Sequence, residues 1–259
     1  MTWHDLDQKG LPDGVTAVVN LTGQNVLDPT RRWTPGFKQN VWNSRINSAS
    51  ALAKAIEKSS GVQAFVNVSG VSLYQPSDKI YTEDDSGETY DFMSKLCIEW
   101  EKASNLPKDS SCRQVNVRSG VVIGRGGGMI ASIQLPFWLG LGGPIGSGNQ
   151  PLPWIHILDL CRLIQFAMEN PNVSGPLNGV APEIVTNEQF SKAYASALRR
   201  PAIFAVPEFV VDLLFGKERS VLLTTGAKVK PKKVLDLGFE YKYPTAKAAC
   251  TAVVNKSDE

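Results

Sequence analysis

Charge of either sign is the first thing this 259-residue chain lacks in excess. Its 27 Lys+Arg stand against 25 Asp+Glu, a net of +2, so no bulk field draws nucleic acid or an anionic membrane surface. The one basic cluster, 228–233 (KVKPKK), is broken by Pro231, has no aromatic platform beside it, and reads as a solvated loop. No apolar run approaches the roughly 20 residues that a membrane-spanning helix needs. Cysteine is scarce and scattered: Cys97, Cys112, Cys161 and Cys250 form no CxxC or Cys/His metal spacing. Lone thiols suit a reducing compartment. The opening MTWHDLDQKG has neither a secretory core nor an Arg-rich presequence. The expected location is therefore intracellular, cytoplasmic by default, with organellar targeting left open. His4 and His156 are the only histidines, and His156 fits a structural hydrogen bond better than catalysis.

A second absence bears on function. Val15–Gly23 (VTAVVNLTG) is an apolar run closing on a polar turn, as an inner parallel strand does where it meets a nucleotide. No GxGxxG or GxxGxxG turn precedes it, and only fourteen residues stand upstream. The chain reads as a doubly wound fold without its first βαβ arm.

What is present is an alternation of strand-like and helical runs, the pattern of a parallel sheet covered by helices. Val15–Asn20 and Gln63–Val68 are predicted strands, Gly36–Lys58 and about Phe92–Ser104 predicted helices. Arg113–Ile123 reads as one third strand ending in the glycine-rich 124–128, followed by a helix to Trp138 and a glycine-rich loop 139–148. The tips at Gly23, Ser69 and Gly124 are expected to form one rim. Asp159 reads as the N-cap of a helix over Leu160–Glu169, and Thr186–Gln189 opens another with a capping pattern. A soft boundary near residue 170 divides a nucleotide-binding domain (1–170) from a C-terminal substrate-side segment (171–259) holding a helix in VPEFVVDLLFG, a basic loop, GFEYKYPT and a last helix.

The strings VVNLTGQNV, VNVSGVSLYQP, DFMSKLCIEWE, VRSGVVIGRGGG, LGLGGPIGSGNQPLPWIHILDL, LNGVAP and GKERSVLLTTGAKVKPKKVLDLGFEY occur in order along nearly the whole chain. Together they resemble the extended short-chain dehydrogenase/reductase superfamily, in its atypical epimerase branch. The resemblance implies an α/β, Rossmann-like doubly wound parallel sheet with a small α+β C-terminal segment closing over the cleft. It also implies NADP as cofactor and an unidentified small-molecule substrate. It points to no nucleic acid and no membrane, and leaves a homodimer open.

Carried over position by position, the resemblance puts Asn20, Leu21 and Thr22 against the nucleotide, Asn40 and Arg45 on the following helix facing it, and the Val122 backbone at the nicotinamide carboxamide. Dehydrogenases of this superfamily pair a Tyr with a Lys one helical turn on, beside a Ser that holds the reacting oxygen. Here Lys95 has Asp91 four residues before it, and Tyr90 lies about 140° around an ideal helix, out of register. Asp91 and Lys95 read as a surface charge pair. Ser69 at its strand end and Tyr74 in the next loop are the remaining catalytic candidates. The expected function is an NADP-dependent oxidoreductase of epimerase-like type. The alternative is a non-catalytic Rossmann-like binding module, or a shortened isoform with impaired cofactor binding.

Overall fold

The structure is a computed structural model that describes residues 1–28 and 30–255. In chain order its elements are α1 (Trp3–Lys9), β1 (Ala17–Asn20), α2 (Pro35–Glu57), β2 (Ala64–Gly70), β3 (Ile80–Tyr81), α3 (Phe92–Ala103), β4 (Arg113–Ser119) and β5 (Val121–Ile123). There follow α4 (Gly128–Trp138), β6 (Trp154–His156), α5 (Ile157–Glu169), β7 (Gly175–Gly179), α6 (Asn187–Leu198), α7 (Glu208–Phe215), α8 (Lys217–Thr224), β8 (Lys228–Val229), α9 (Lys232–Asp236) and α10 (Ala246–Asn255).

The main sheet is parallel throughout, in the order β1-β2-β4-β7. Parallel neighbours need helical crossovers, and alternate residues of each strand face opposite helical layers. Val66 and Val68 of β2, with Val115 and Val117 of β4 and Leu177 of β7, pack on Leu160, Leu163 and Ile164 of α5. Phe65 turns the other way, onto Ile56 of α2. This is the doubly wound, Rossmann-like arrangement expected, and β7 carries the sheet past residue 170.

Helix α2 starts where its caps dictate: Thr34 accepts from Phe37 N, and Pro35 fills the first turn, where no N–H is missed. Thr186 and Gln189 close a reciprocal capping box on α6. A second core joins α4, α6 and α10 through Phe137, Phe190, Tyr194, Ala249 and Val253, around Trp154 of β6. No described helix is long and apolar enough to cross a membrane.

Four sequence expectations are corrected. The third strand is two strands, because the chain bends at Gly120: Gly120 N donates to Gly179 O at 3.0 Å, whereas Val121 N donates to Pro153 O at 2.8 Å. From there β5 pairs with β6 in a separate sheet. A Cβ on Gly120 would lie 2.6 Å from the Pro153 oxygen, so only glycine allows the approach. Helix α5 begins three residues early, capped by His156, whose Nδ1 accepts from Leu158 N at 3.2 Å. Asp159 is instead fully buried inside the first turn and accepts from Lys242 N and Tyr243 N, both at 2.8 Å. The stretch 228–233 is no solvated loop: β8 pairs in parallel with β3, Val229 is buried, and Pro231 leads into α9. KERSVLLT before it folds as α8, anchored by Arg219, which donates to Asp28 O and Arg31 O at 2.6 and 2.8 Å.

Candidate functional site

The carboxyl ends of β1, β2 and β4 lie side by side, and the chain leaving them forms one rim. Leu21–Gly23, Ser69–Gly70 and Ser119–Gly120 line a cleft of about 260 Å³. Its wall is the α3 face carrying Met93, Leu96, Cys97 and Trp100. The third tip on this rim is Gly120, not Gly124 as the sequence suggested, since the bend at Gly120 takes β5 to another sheet.

Beneath the rim the sheet carries a buried polar layer, for a reason visible in the register. Asn20, Asn67 and Asn116 are cross-strand partners at one level of the sheet, all buried. Asn20 Nδ2 donates to Asn67 Oδ1 at 2.8 Å, and Asn67 Nδ2 donates to Asn116 Oδ1 at 3.1 Å. Each amide meets the hydrogen-bonding need of its neighbour, so the layer can be buried without orphaned groups. Asn20 also shapes the rim: its Oδ1 accepts from Thr22 N and Thr22 Oγ1 at 3.2 and 2.7 Å, closing an Asx turn.

One step nearer the cleft, Ser69 Oγ donates to Glu101 Oε1 at 2.7 Å. Glu101 is held from behind by Arg118, whose Nε and Nη2 reach its two oxygens at 2.9 Å each, a bidentate pair. Burial works against the Arg118 charge, yet the Glu101 hydrogen bonds prevail and its pKa is raised. Arg118 Nη1 then donates to the Tyr74 hydroxyl at 2.8 Å. That hydroxyl lies 3.0 Å from both Thr82 O and Asn178 Oδ1. Beyond it, Glu83 accepts from Asn178 N at 2.9 Å and from Lys233 N at 3.0 Å. A continuous polar chain thus runs from the cleft to the C-terminal segment.

Arg45 comes from α2 across the cleft mouth. Its Nη1 donates to Gln24 O at 3.0 Å and Val41 O at 3.2 Å, and its Cζ lies 5.0 Å from the Trp100 ring centroid. Burial lowers its pKa from the usual arginine value. A Cβ on Gly23 would lie 2.8 Å from Arg45 Cζ, so the bare backbone there lets the guanidinium lie against the β1 tip. The Trp100 Nε1 is buried with no hydrogen-bond partner among the described residues. On the far side of Gly23 a second cleft, of about 740 Å³, is lined by Gln24 and by one face of α2: Asn40, Asn43, Ser44, Asn47 and Ser48.

The predicted residues therefore separate. Leu21, Thr22, Arg45 and Ser69 meet at the first cleft, Asn40 lies in the second, and Asn20 is buried beneath the rim. Tyr74 is 1% exposed, and burial raises its pKa; its hydroxyl belongs to the Arg118 network rather than to the cleft wall. Val122 sits in β5, packed beside the α5 core and off the cleft. Tyr90 precedes α3 altogether. Asp91 is the helix N-cap, accepting from Ser94 N at 2.7 Å, and the Lys95 ammonium lies 6.0 Å from the Trp42 ring centroid. The surface pairing expected of Asp91 and Lys95 is thus replaced by a cap and a ring contact. Burial raises the Tyr90 pKa, and its hydroxyl lies 2.8 Å from Ser72 O. The same cause pushes the Cys97 thiol up to about 12, so it stays protonated at neutral pH. Glu101, Arg118 and Trp100 were not singled out from the sequence. The available signal was the polar residue repeated inside three apolar strands, at Asn20, Asn67 and Asn116.

With this geometry in hand, comparison with known proteins is informative. Residues 4–180 match the NAD dependent epimerase/dehydratase family, and residues 206–253 match a domain of unknown function, DUF1731. The epimerase family protein SDR39U1 of Bos taurus is 49% identical over 257 residues, spanning 98% of this chain and 87% of the relative. A crystal structure of human epimerase family protein SDR39U1 (isoform2) with NADPH superposes with a TM-score of 0.96 at 47% identity, covering 98% of this chain and 86% of that one. A nucleoside-diphosphate sugar epimerase from Corynebacterium glutamicum shares the fold at 24% identity, with a TM-score of 0.74 over 94% of this chain and 47% of that one.

Proposed function

The chain belongs to the NAD dependent epimerase/dehydratase family, and on that premise we propose that it binds NADP along the β1 tip and acts as an oxidoreductase of the epimerase-like type on a small molecule. The single observation that carries this reading is the pair of clefts meeting at Gly23, one with a guanidinium and the other with a row of amides and hydroxyls. An elongated ligand can run from one cleft to the other past Gly23, alongside the Arg45 guanidinium that lies against it. Arg45 suits a phosphate, and Thr22, Ser44, Asn47 and Ser48 suit ribose hydroxyls and amide groups. The human relative solved with NADPH supports the same cofactor here.

When bound, the cofactor gives or takes a hydride. The protein's part is to orient the reacting oxygen and exclude water. Ser69 commits its hydrogen to Glu101, so its oxygen serves as an acceptor, which fits a hydroxyl on the bound substrate. The apolar Leu96 and Met93 wall keeps the site poor in water.

Fluorescence titration with NADPH tests the reading. Binding is expected, with Arg45→Ala weakening it by about tenfold or more, a loss of about 1.4 kcal/mol. No binding at millimolar NADPH, or an Arg45→Ala variant that binds as well as the parent, would overturn it. A second reading, a binding module without catalysis, is favoured by the Tyr74 hydroxyl being taken up in the buried network. Cofactor oxidation across a panel of small carbonyl compounds, lost in Ser69→Ala, would exclude that reading.

A further inference from the structure

The second cleft has an aromatic wall besides its amides, and α1 supplies it. That helix is fixed at both ends: Thr2 Oγ1 accepts from Asp5 N at 3.1 Å, Thr2 N donates to Asp5 Oδ2 at 2.9 Å, and Gly10 N closes the far end on Leu6 O at 2.9 Å. Leu6 is its buried anchor. Trp3, in the first turn, is 51% exposed and lines the cleft. The α2 residues on the cleft, Asn40, Asn43 and Asn47 with Ser44 and Ser48, follow helical spacing and share one face. The two hydroxyls are engaged within the helix: Ser44 Oγ donates to Val41 O at 3.0 Å and Ser48 Oγ to Ser44 O at 2.8 Å. The three amides are exposed, and Asn43 Oδ1 accepts from Gln39 Nε2 at 2.7 Å, which leaves its N–H groups to a ligand. Among the described residues that line this cleft none is charged. It therefore suits a flat, neutral, polar-edged ring, whereas a phosphate belongs beside Arg45.

We propose that Trp3 is the platform on which the adenine ring of NADP stacks, with the α2 amides at the edge of the base. This rests on the NADP reading above, and it orients the cofactor. Ser69 lies in the first cleft, so the reacting nicotinamide belongs there and the base at the far end. An indole face holds a base through its π surface, and amides can pair with the ring nitrogens and the exocyclic amine at its edge. The indole is an exposed ring that the core does not hold, so its apolar face is free to be covered by the base.

Titration with NADPH, followed by the cofactor's own fluorescence, tests this on the full chain and three variants. Trp3→Phe keeps a ring and should bind much as the parent does. Trp3→Ala and Trp3→Leu lack one and should bind at least about fivefold more weakly, the low end of what base–aromatic stacking contributes. Trp3 is half exposed, so the thermal midpoint should stay where it is in all three. If Trp3→Ala or Trp3→Leu binds NADPH as tightly as the parent, the proposal falls and the cofactor reading stands. A loss in Trp3→Phe equal to that in Trp3→Ala has the same consequence, as does a fall in thermal midpoint that accompanies the weakening. A parent that binds no NADPH overturns both.

Discussion

Glu101 holds two partners at once, Ser69 on the cleft and Arg118 beneath it. Arg118 is 8% exposed, so its charge is tolerable only with that carboxylate in place. Removing the acid leaves a buried guanidinium uncompensated. Glu101→Ala is therefore expected to cost about 3–5 kcal/mol in urea unfolding, the range for breaking one side of a buried pair. Glu101→Gln, which keeps an acceptor for Ser69, should cost less. A loss below about 1 kcal/mol in Glu101→Ala would show the pair to be energetically neutral. The same network explains why sequence reasoning placed Ser69 on the cleft and yet took Tyr74 for a cleft residue. A strand-end serine is located by its strand, but a loop tyrosine is located by whatever it finds to bond. Here the partners are Arg118, Thr82 and Asn178, which lie 44, 8 and 104 residues away in the chain.

Among the elements, those with strong local signals were legible. Helices α2, α3 and α6 start close to where capping side chains and apolar spacing put them, at Thr34, Asp91 and Thr186. The failures share a cause. Gly120 looks like any glycine inside a valine-rich run until Pro153 arrives from 33 residues away and takes the space a Cβ would need. Gly120→Ala is expected to push β5 off β6 and lower stability by about 1–3 kcal/mol, the usual cost of overpacking. Chemical denaturation measures it, and an unchanged midpoint would mean that the β4–β5 bend does not need glycine. Asp159 was misassigned as a cap for the same reason. Its partners Lys242 and Tyr243 come from the far end of the chain, while His156, expected to make a structural hydrogen bond, makes it as the cap.

At the scale of the whole molecule, residues 227–255 are held to the rest of the fold by polar ties and by apolar packing, Val234 and Phe239 in the core under β2 and β4, and Ala227 and Val229 against Val71, Leu73 and Tyr74. Asp159 ties down Lys242 and Tyr243, Glu83 ties down Lys233, and α10 packs on α6 across the Trp154 core. Asp159→Ala removes the acceptor of the buried Tyr243 N–H, at about 1–3 kcal/mol, and of the part-buried Lys242 N–H, at less. The expected result in hydrogen exchange is loss of protection at residues 241–255 while β2 and β4 keep theirs. If α10 exchanges as slowly in the variant as in the parent, the apolar packing and the Glu83 tie hold the segment without Asp159. The Glu83 tie also connects to the cleft, because Lys233 and Asn178 end the polar chain that begins at Ser69.

Periodicity, caps and strand-end turns are local, and they were enough to specify the parallel α/β class, the order of the principal helices and the strand tips Gly23 and Ser69 on the rim. Such features depend on backbone geometry within a few residues, which the side chains themselves impose. The tertiary structure alone decided where Gly120 bends the chain, which residue caps α5, and that Glu101 and Arg118 stand behind Ser69. It also decided that 228–233 becomes a strand and a helix start. Each of those outcomes turns on two groups far apart in the chain meeting at hydrogen-bond or contact distance, and no pattern within one segment carries the position of the other.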